Sequence, residues 1–150
     1  MKKITPFLMF ANDAVEAMEF YVKVFPNSEI VGTMPGPDGK PAGGTFTLNG
    51  EQFHCFNGGE HFKFSEGISF SINAETQEEI DYFYDTLSAG GEQQPCGWLK
   101  DRFGVSWQVI PSILVKLLSD TDREKAGRVA QAMFAMKKIQ LADIMAAARS

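Results

Sequence analysis

The chain has 150 residues, of which 44% are hydrophobic and 22% charged, with a formal net charge of −5. This length predicts one domain with a core large enough to fold without disulfides or metals. The acidic balance excludes a protein that binds nucleic-acid phosphates through a basic face. No apolar stretch approaches the roughly 18 residues of a membrane span, so we expect no membrane partner.

The two cysteines, Cys55 and Cys96, form no CxxC pair, and this argues against a zinc site or a redox motif. The opening residues MKKITPFLMF lack the long apolar run and the small-residue cleavage site of a secretory signal. We therefore expect a cytoplasmic protein with two reduced thiols.

The chain opens with a strand pattern followed by a helix pattern. Residues 4–10 are rich in β-compatible apolar residues, and Pro6 restricts the strand to an edge or an irregular position. The next stretch predicts a helix that begins with a D-x-x-E capping box at Asp13 and Glu16. Its apolar residues have helical spacing and predict a buried stripe of Val15, Met18, Val22 and Phe25.

Strand and turn patterns follow. Residues 28–34 predict a strand, and the Gly- and Pro-rich residues 35–44 predict a loop. Residues 45–48 and 51–56 predict a hairpin that turns at Asn49-Gly50.

The same order then starts again. Residues 67–74 alternate apolar and serine side chains and predict a half-buried strand. A helix follows, with a capping box at Thr76 and Glu79 and a C-terminal signal at Gly90-Gly91. Its apolar stripe is Ile80, Phe83 and Leu87. Strands near 92–95 and over 104–110 complete a repeat of about 65 residues, which suits a duplicated half-domain.

The Ala- and Met-rich tail predicts two helices, at about 122–136 and 140–148. Their apolar faces are Ala126, Val129, Ala130 and Met133 in the first and Leu141, Ile144, Met145 and Ala148 in the second. Helices this short are marginal alone. We expect them to dock either on their own domain or on a twin chain.

Several stretches carry a resemblance to a known family: FHCFNGG, FSEGISFSI, CGWLKDRFGVSWQVIP and the tail REKAGRVAQAMFAMKKIQLADI. They resemble the PhnB-like family, also called the 3-demethylubiquinone-9 3-methyltransferase domain. This family belongs to the glyoxalase/bleomycin resistance/dioxygenase (vicinal oxygen chelate) superfamily.

The resemblance implies an α+β fold in which two βαβββ modules, at about 1–60 and 64–112, form a cup with their curved sheets. The modules make up a domain over 1–115, and residues 116–150 form a helical C-terminal extension. The superfamily commonly pairs its modules and tail across chains, so a homodimer is expected.

In the metalloenzymes of the superfamily, four residues of the cup hold a divalent metal. The resemblance places these positions at Thr5, His54, Gly67 (or Ile68 if the register slips) and Gln108, where metal-dependent relatives have Glu. Only His54 is a good ligand for a transition metal, which favours imidazole and carboxylate. We expect neither a metal nor another cofactor.

Strand alternation places Gln52, His54 and Phe56 on one face, and Gln108 on the face opposite Trp107 and Val109. The residues expected to bind a small-molecule ligand are Thr5, Phe7, Gln52, His54, Phe56, Ser69, Trp98 and Gln108. His54 is the candidate catalytic residue, as a general base or a donor. The alternatives without a function are that His54 is simply a hydrogen-bonded histidine and that Gln108 is a sheet residue bonded to water.

Other polar residues favour plain structural roles. Cys96 is expected in a loop as an unactivated thiol, and Cys55 is expected to pack in the core. Asp101 and Arg102 suit a solvated turn. Trp98 suits either the roof of a cavity or a cover for the end of a sheet.

The leading hypothesis is a metal-independent small-molecule binding protein or cryptic enzyme with an aromatic-lined cup. The alternatives are a divalent-metal lyase, isomerase or dioxygenase, the methyltransferase that the family name implies, and a non-catalytic interaction module. The glycine pairs Gly43-Gly44, Gly58-Gly59 and Gly90-Gly91 do not open a helix after a strand, as a nucleotide-binding turn requires. This disfavours the methyltransferase.

Overall fold

A computed structural model describes residues 2–150, so Met1, the first residue of the expected domain, lies outside it. The chain separates into two compact units, one ending at Phe64 and the other spanning Ser65–Ser150. The first unit contains β1 (Phe7–Phe10), α1 (Ala14–Val24), β2 (Glu29–Pro35), β3 (Pro41–Leu48) and β4 (Glu51–Asn57). It is therefore one βαβββ module.

The second unit repeats this order and adds helices. Its elements are β5 (Phe70–Asn73), α2 (Gln77–Ser88), β6 (Glu92–Gln93), β7 (Trp98–Lys100), β8 (Ser106–Ile110), α3 (Ser112–Leu118), α4 (Arg123–Phe134) and α5 (Leu141–Arg149). The predicted α+β fold with two βαβββ modules and a helical tail is confirmed. Among the helices of residues 2–150, none is long and apolar enough to span a membrane.

The first sheet has the strand order β1-β4-β3-β2, and only the β1–β4 pair is parallel. Alternate residues of its strands are buried on the face that carries α1: Leu8, Phe10, Phe46, Leu48, Phe53 and Cys55. The Asn49-Gly50 turn is confirmed, since both residues have positive φ, at 50° and 83°. This combination is that of the type I′ hairpin turn.

Helix α1 departs from the prediction at its cap and on its buried face. Asp13 makes no side-chain capping hydrogen bond. Instead the Asn57 side-chain oxygen, at the end of β4, accepts from the Ala14 backbone N–H at 2.8 Å. The buried stripe is Ala14, Ala17, Met18, Tyr21 and Val24, while the expected Val15 and Val22 are only half-buried. The two alanines allow the helix to pack closely on the sheet.

Two strand boundaries also differ from the prediction. Strand β1 begins at Phe7 rather than at residue 4, although the Pro6 carbonyl accepts from the His54 backbone N–H at 2.9 Å. Strand β3 begins at Pro41, inside the predicted loop. The close approach of β4 requires glycine at position 43 of this strand, since a Cβ there would lie 2.1 Å from the Cys55 carbonyl oxygen.

The second sheet has the order β5-β8-β7-β6, with β5 and β8 parallel. The buried face of this sheet contains Ile72, Leu99, Trp107 and Val109. Helix α2 packs on this sheet, and its predicted stripe of Ile80, Phe83 and Leu87 is buried together with Tyr84. The helix cap predicted at Thr76 is confirmed, since its hydroxyl accepts from the Glu79 backbone N–H at 3.1 Å. The Glu79 carboxylate accepts from the Glu75 backbone N–H, one residue before the position that a capping box predicts. The residue pattern did not predict strand β7 or helix α3.

The tail docks within the second unit. Backbone hydrogen bonds join Cys96 N to the Met136 carbonyl at 3.0 Å and Gly97 N to the Lys137 carbonyl at 2.7 Å. Gln77 of α2 adds two side-chain hydrogen bonds to the same connection between α4 and α5, at 3.0 and 2.8 Å. In this single chain the tail therefore packs on the second βαβββ module.

Asp101 corrects the expectation of a solvated turn. Its side chain is 2% exposed and accepts hydrogen bonds from the backbone N–H groups of Phe103 and Val105, at 2.9 and 3.0 Å. Its other oxygen accepts from Trp107 Nε1–H at 2.9 Å. A buried turn must satisfy its backbone N–H groups, and this carboxylate does so between β7 and β8.

We predict that Asp101→Ala lowers the free energy of unfolding by about 3 kcal/mol, because two buried donors and one part-buried donor lose their acceptor. Urea unfolding followed by circular dichroism measures this loss. Asp38→Ala is the matched control, since that carboxylate is exposed and accepts from the turn N–H of Lys40, at 2.9 Å. Equal losses in the two variants would contradict a special role for the buried carboxylate.

Candidate functional site

Each sheet has one face that packs against the helix of its module and a second face on the opposite side. We call this second face the open face of the sheet. Because side chains alternate along a strand, the strand pairing identifies the residues that share it.

On the first open face, Phe7, His54 and Thr45 lie side by side on β1, β4 and β3. The Phe7 ring is 51% exposed, and its centroid is 5.6 Å from that of the His54 ring. Gln52 and Phe56 flank His54 on β4 and are half-buried. The expected arrangement of these β4 side chains is confirmed, with Phe53 and Cys55 buried on the other face.

Thr45 orients the His54 ring. The Thr45 hydroxyl and His54 Nδ1 are 2.8 Å apart and share a hydrogen bond. If the hydroxyl donates, Nε2 carries the proton and is a donor for a ligand. If the hydroxyl accepts, Nε2 presents a lone pair and is an acceptor or a base. In either tautomer Nε2 is the ring nitrogen that can bind a ligand or exchange a proton with it.

On the second open face, Ser71, Gln108 and Trp98 lie side by side on β5, β8 and β7. Gln108 Nε2 donates to the Ser69 hydroxyl at 2.9 Å, which directs the amide across this face. Gln108 and Trp98 are half-buried. The prediction that Gln108 faces away from the helix side is confirmed, since its β8 neighbours Trp107 and Val109 are buried.

Ser106 was not among the site residues predicted from the sequence. It shares the open face with Gln108, two residues along β8, and lies opposite Lys100 of β7. The side chain is 2% exposed, and its hydroxyl has no hydrogen-bond partner among residues 2–150. Its two-residue spacing from Gln108 was the available signal, but burial without a partner is a property of the folded chain.

The structure groups the expected site residues by unit. Phe7, Gln52, His54 and Phe56 belong to the first open face, and Ser69, Trp98 and Gln108 to the second. Thr5 is half-buried and precedes β1. Gly67 lies in an exposed turn and Ile68 is 73% exposed. The next residue, Ser69, is the one whose side chain contacts Gln108.

The residues at the four metal positions do not fit a divalent transition metal. In the first unit His54 is a good ligand and Thr5 offers only a neutral hydroxyl. In the second unit Gln108 offers one amide oxygen and Gly67 no side chain. Residues 2–150 contain no cluster of three or more His, Cys, Asp or Glu side chains able to hold a metal. Such sites normally need at least three protein ligands.

Neither thiol is set up as a nucleophile. Burial raises the pKa of Cys55 to about 11, and its sulfur packs 3.8 Å from the Met18 sulfur. Burial also raises the pKa of Cys96 above its ordinary value. A raised pKa reduces the thiolate present at neutral pH, and the thiolate is the reactive form.

Comparisons with known proteins agree with this architecture. Residues 2–110 match the family described as 3-demethylubiquinone-9 3-methyltransferase. A putative 3-demethylubiquinone-9 3-methyltransferase, PhnB protein, from Bacillus cereus is similar, with 36% identity and a TM-score of 0.65. That similarity covers 73% of this chain and 99% of the other. No match was found among the curated proteins.

Two more distant structures are also similar. Protein PA1353 from Pseudomonas aeruginosa has 20% identity and a TM-score of 0.58, over 73% of this chain and 96% of its own. A glyoxalase/bleomycin resistance protein from Albidiferax ferrireducens has 17% identity and a TM-score of 0.46, over 69% and 95%.

Two successive βαβββ modules, each with its own four-stranded sheet, define the class of fold. Within that class, the chain belongs to the PhnB-like, 3-demethylubiquinone-9 3-methyltransferase family. The family predicted from the sequence is thus confirmed.

We predict that Ser106→Ala raises the free energy of unfolding by about 1 kcal/mol, because it removes a buried hydroxyl that has no partner. Chemical denaturation measures the change. Ser88→Ala is the matched control, since the buried Ser88 hydroxyl donates to the Tyr84 carbonyl at 2.6 Å. The control should show no gain. A loss in Ser106→Ala would show that its hydroxyl is bonded in solution.

Proposed function

We propose that each module can bind a small organic molecule without a metal, on the open face of its own sheet. The observation that carries the proposal is the repeated row of aromatic and neutral polar side chains. The first module presents Phe7, His54 and Thr45, and the second presents Trp98, Gln108 and Ser71. Small-molecule sites combine such apolar surfaces with a few polar groups that fix orientation.

His54 is the residue to which we assign any catalytic role. Its Nδ1 shares a hydrogen bond with the Thr45 hydroxyl at 2.8 Å, and this bond fixes the orientation of the ring. A general base or a hydrogen-bond donor must be held in such a fixed orientation. Thr5, Phe7, Gln52 and Phe56 would contribute to binding in the first unit. Ser69 would contribute in the second by holding the Gln108 amide.

The alternatives have less support. Metal-dependent lyase or dioxygenase chemistry would need a donor set that the residues at the expected positions do not provide. The methyltransferase is disfavoured because the glycine pairs do not fit a nucleotide-binding turn. Gly43 and Gly44 lie within β3, and Gly90 follows the end of α2 with a φ of 77°. A purely structural interaction module would not explain polar groups directed across the open faces.

The test is a screen of uncharged aromatic fragments by ¹H–¹⁵N NMR, together with elemental analysis after incubation with Mn²⁺, Fe²⁺, Ni²⁺ and Zn²⁺ and dialysis. We expect fragment-induced shifts at residues of the open faces, weakened in His54→Ala or Gln108→Ala, and metal far below one equivalent. Gln131→Ala, an exposed change on α4, is the control. One metal retained per chain and lost in His54→Ala would overturn the metal-independent proposal.

We also propose that the chain is a cytoplasmic homodimer. Three large apolar side chains on α2, α3 and α4 support association, since Tyr82, Val115 and Phe134 are 46%, 57% and 65% exposed. Both cysteines are free, which suits a reducing compartment.

Sedimentation velocity should therefore show twice the chain mass of 16.6 kDa. Phe134→Asp should shift the protein toward the single-chain mass, because it places a charge in the apolar contact. Gln131→Asp on the same helix should leave the dimer intact. A single-chain mass for the unmodified protein across the concentration range would contradict the homodimer.

A further inference from the structure

We propose that the open face of the second sheet selects an uncharged, planar ligand that carries a carboxamide-like group. Trp98 would provide the aromatic wall, and Gln108 and Ser106 the hydrogen bonds. The inference rests on the proposed function and adds to it the chemical class of the ligand.

Ser106 is the first reason. A buried hydroxyl without a partner costs stability, and such groups in native proteins call for an explanation. This one is 2% exposed, unpartnered among residues 2–150, and placed by its register on the face that also carries Gln108. A ligand that hydrogen-bonds to Ser106 would remove the cost.

The orientation of Gln108 is the second reason. Its Nε2 donates to Ser69 at 2.9 Å, so the carboxamide oxygen is the atom left to receive a donor. Ser106 and Gln108 are two residues apart on β8, about 6.7 Å along the strand. One ligand carboxamide, with a hydrogen bond at each end, spans such a distance. Its N–H donates to Gln108, and its oxygen accepts from Ser106.

Trp98 lies directly opposite Gln108 on the neighbouring strand. Cross-strand neighbours place their Cβ atoms about 5 Å apart, so the indole is within reach of any ring held by Gln108. An aromatic ligand would pack on it in an offset or edge-to-face arrangement.

The charges nearby argue for a neutral ligand. The cation on this face, Lys100, lies 3.7 Å from the Glu66 carboxylate, and Glu66 also accepts from Gln94 at 2.7 Å. The row of Ser71, Gln108 and Trp98 carries no charge of its own. A charged ligand on this row would lose hydration without gaining a partner, which costs more than the neutral contacts return.

A matched set of three ligands tests the class: benzamide, benzoate and benzamidinium have nearly the same shape and charges of 0, −1 and +1. Each is titrated into the ¹⁵N-labelled full chain at millimolar concentrations and followed at the Trp98 indole and Gln108 side-chain resonances. We expect benzamide to bind at least about tenfold more tightly than either ion, because only benzamide avoids an unpaired charge.

Four variants locate the contacts. Gln108→Met keeps the length of the side chain and should abolish the benzamide shifts at Trp98. Ser106→Ala should weaken benzamide while the protein remains folded, a result that a purely structural serine would not give. Ser119→Ala, an exposed serine, should change nothing. Glu66→Ala leaves Lys100 unpaired, so benzoate should bind more tightly than in the unmodified chain.

The outcomes separate this inference from the proposed function. Benzoate or benzamidinium binding as tightly as benzamide at these resonances would overturn the ligand class and leave small-molecule binding standing. Fragments that shift only residues around His54 would overturn the second face as the site. Silence from every fragment at both faces would overturn the proposed function itself. Unchanged benzamide affinity in Ser106→Ala would overturn the role of that hydroxyl.

Discussion

In each module the first strand lies parallel to the last, with Phe7 beside His54 in one and Ser71 beside Gln108 in the other. This pairing determines which side chains share the open face. A slip of one residue would turn His54 or Gln108 into the helix-covered core. The polar groups that carry the proposed function therefore depend on the apolar residues between them, because burial of Cys55 and Val109 holds the register.

The two modules use different polar side chains to stabilise their helix starts and turns. In the first module a carboxamide at the end of the last strand caps the helix, since Asn57 accepts from Ala14. In the second, Thr76 caps the helix locally and Asp101 organises the turn between β7 and β8. The duplicated fold thus uses different local solutions for equivalent requirements.

The strand and helix pattern of the modules could be predicted from the sequence because period-2 and period-3.6 spacing are local. The faces of β4 and β8 followed directly from alternation around His54 and Gln108. The missed features depend on burial and on side-chain contacts that exist only in the folded chain, even where the partners are close in sequence. Strand β7 has three residues, too short for a pattern, and Asp101 resembles any turn aspartate until Trp107 folds back onto it. Alternation places Ser106 on the same face as Gln108, but its burial without a partner becomes apparent only in the folded chain.

The two tryptophans occupy contrasting surroundings, with Trp107 in the core and bonded to a carboxylate, and Trp98 half-buried on the open face. Their fluorescence should therefore report different events. Emission from Trp107 depends on the packing that Asp101 maintains and so follows unfolding. Emission from Trp98 depends on its contact with solvent and so follows occupancy of the face. A single chain without added labels thus carries one optical probe for its fold and another for its ligand.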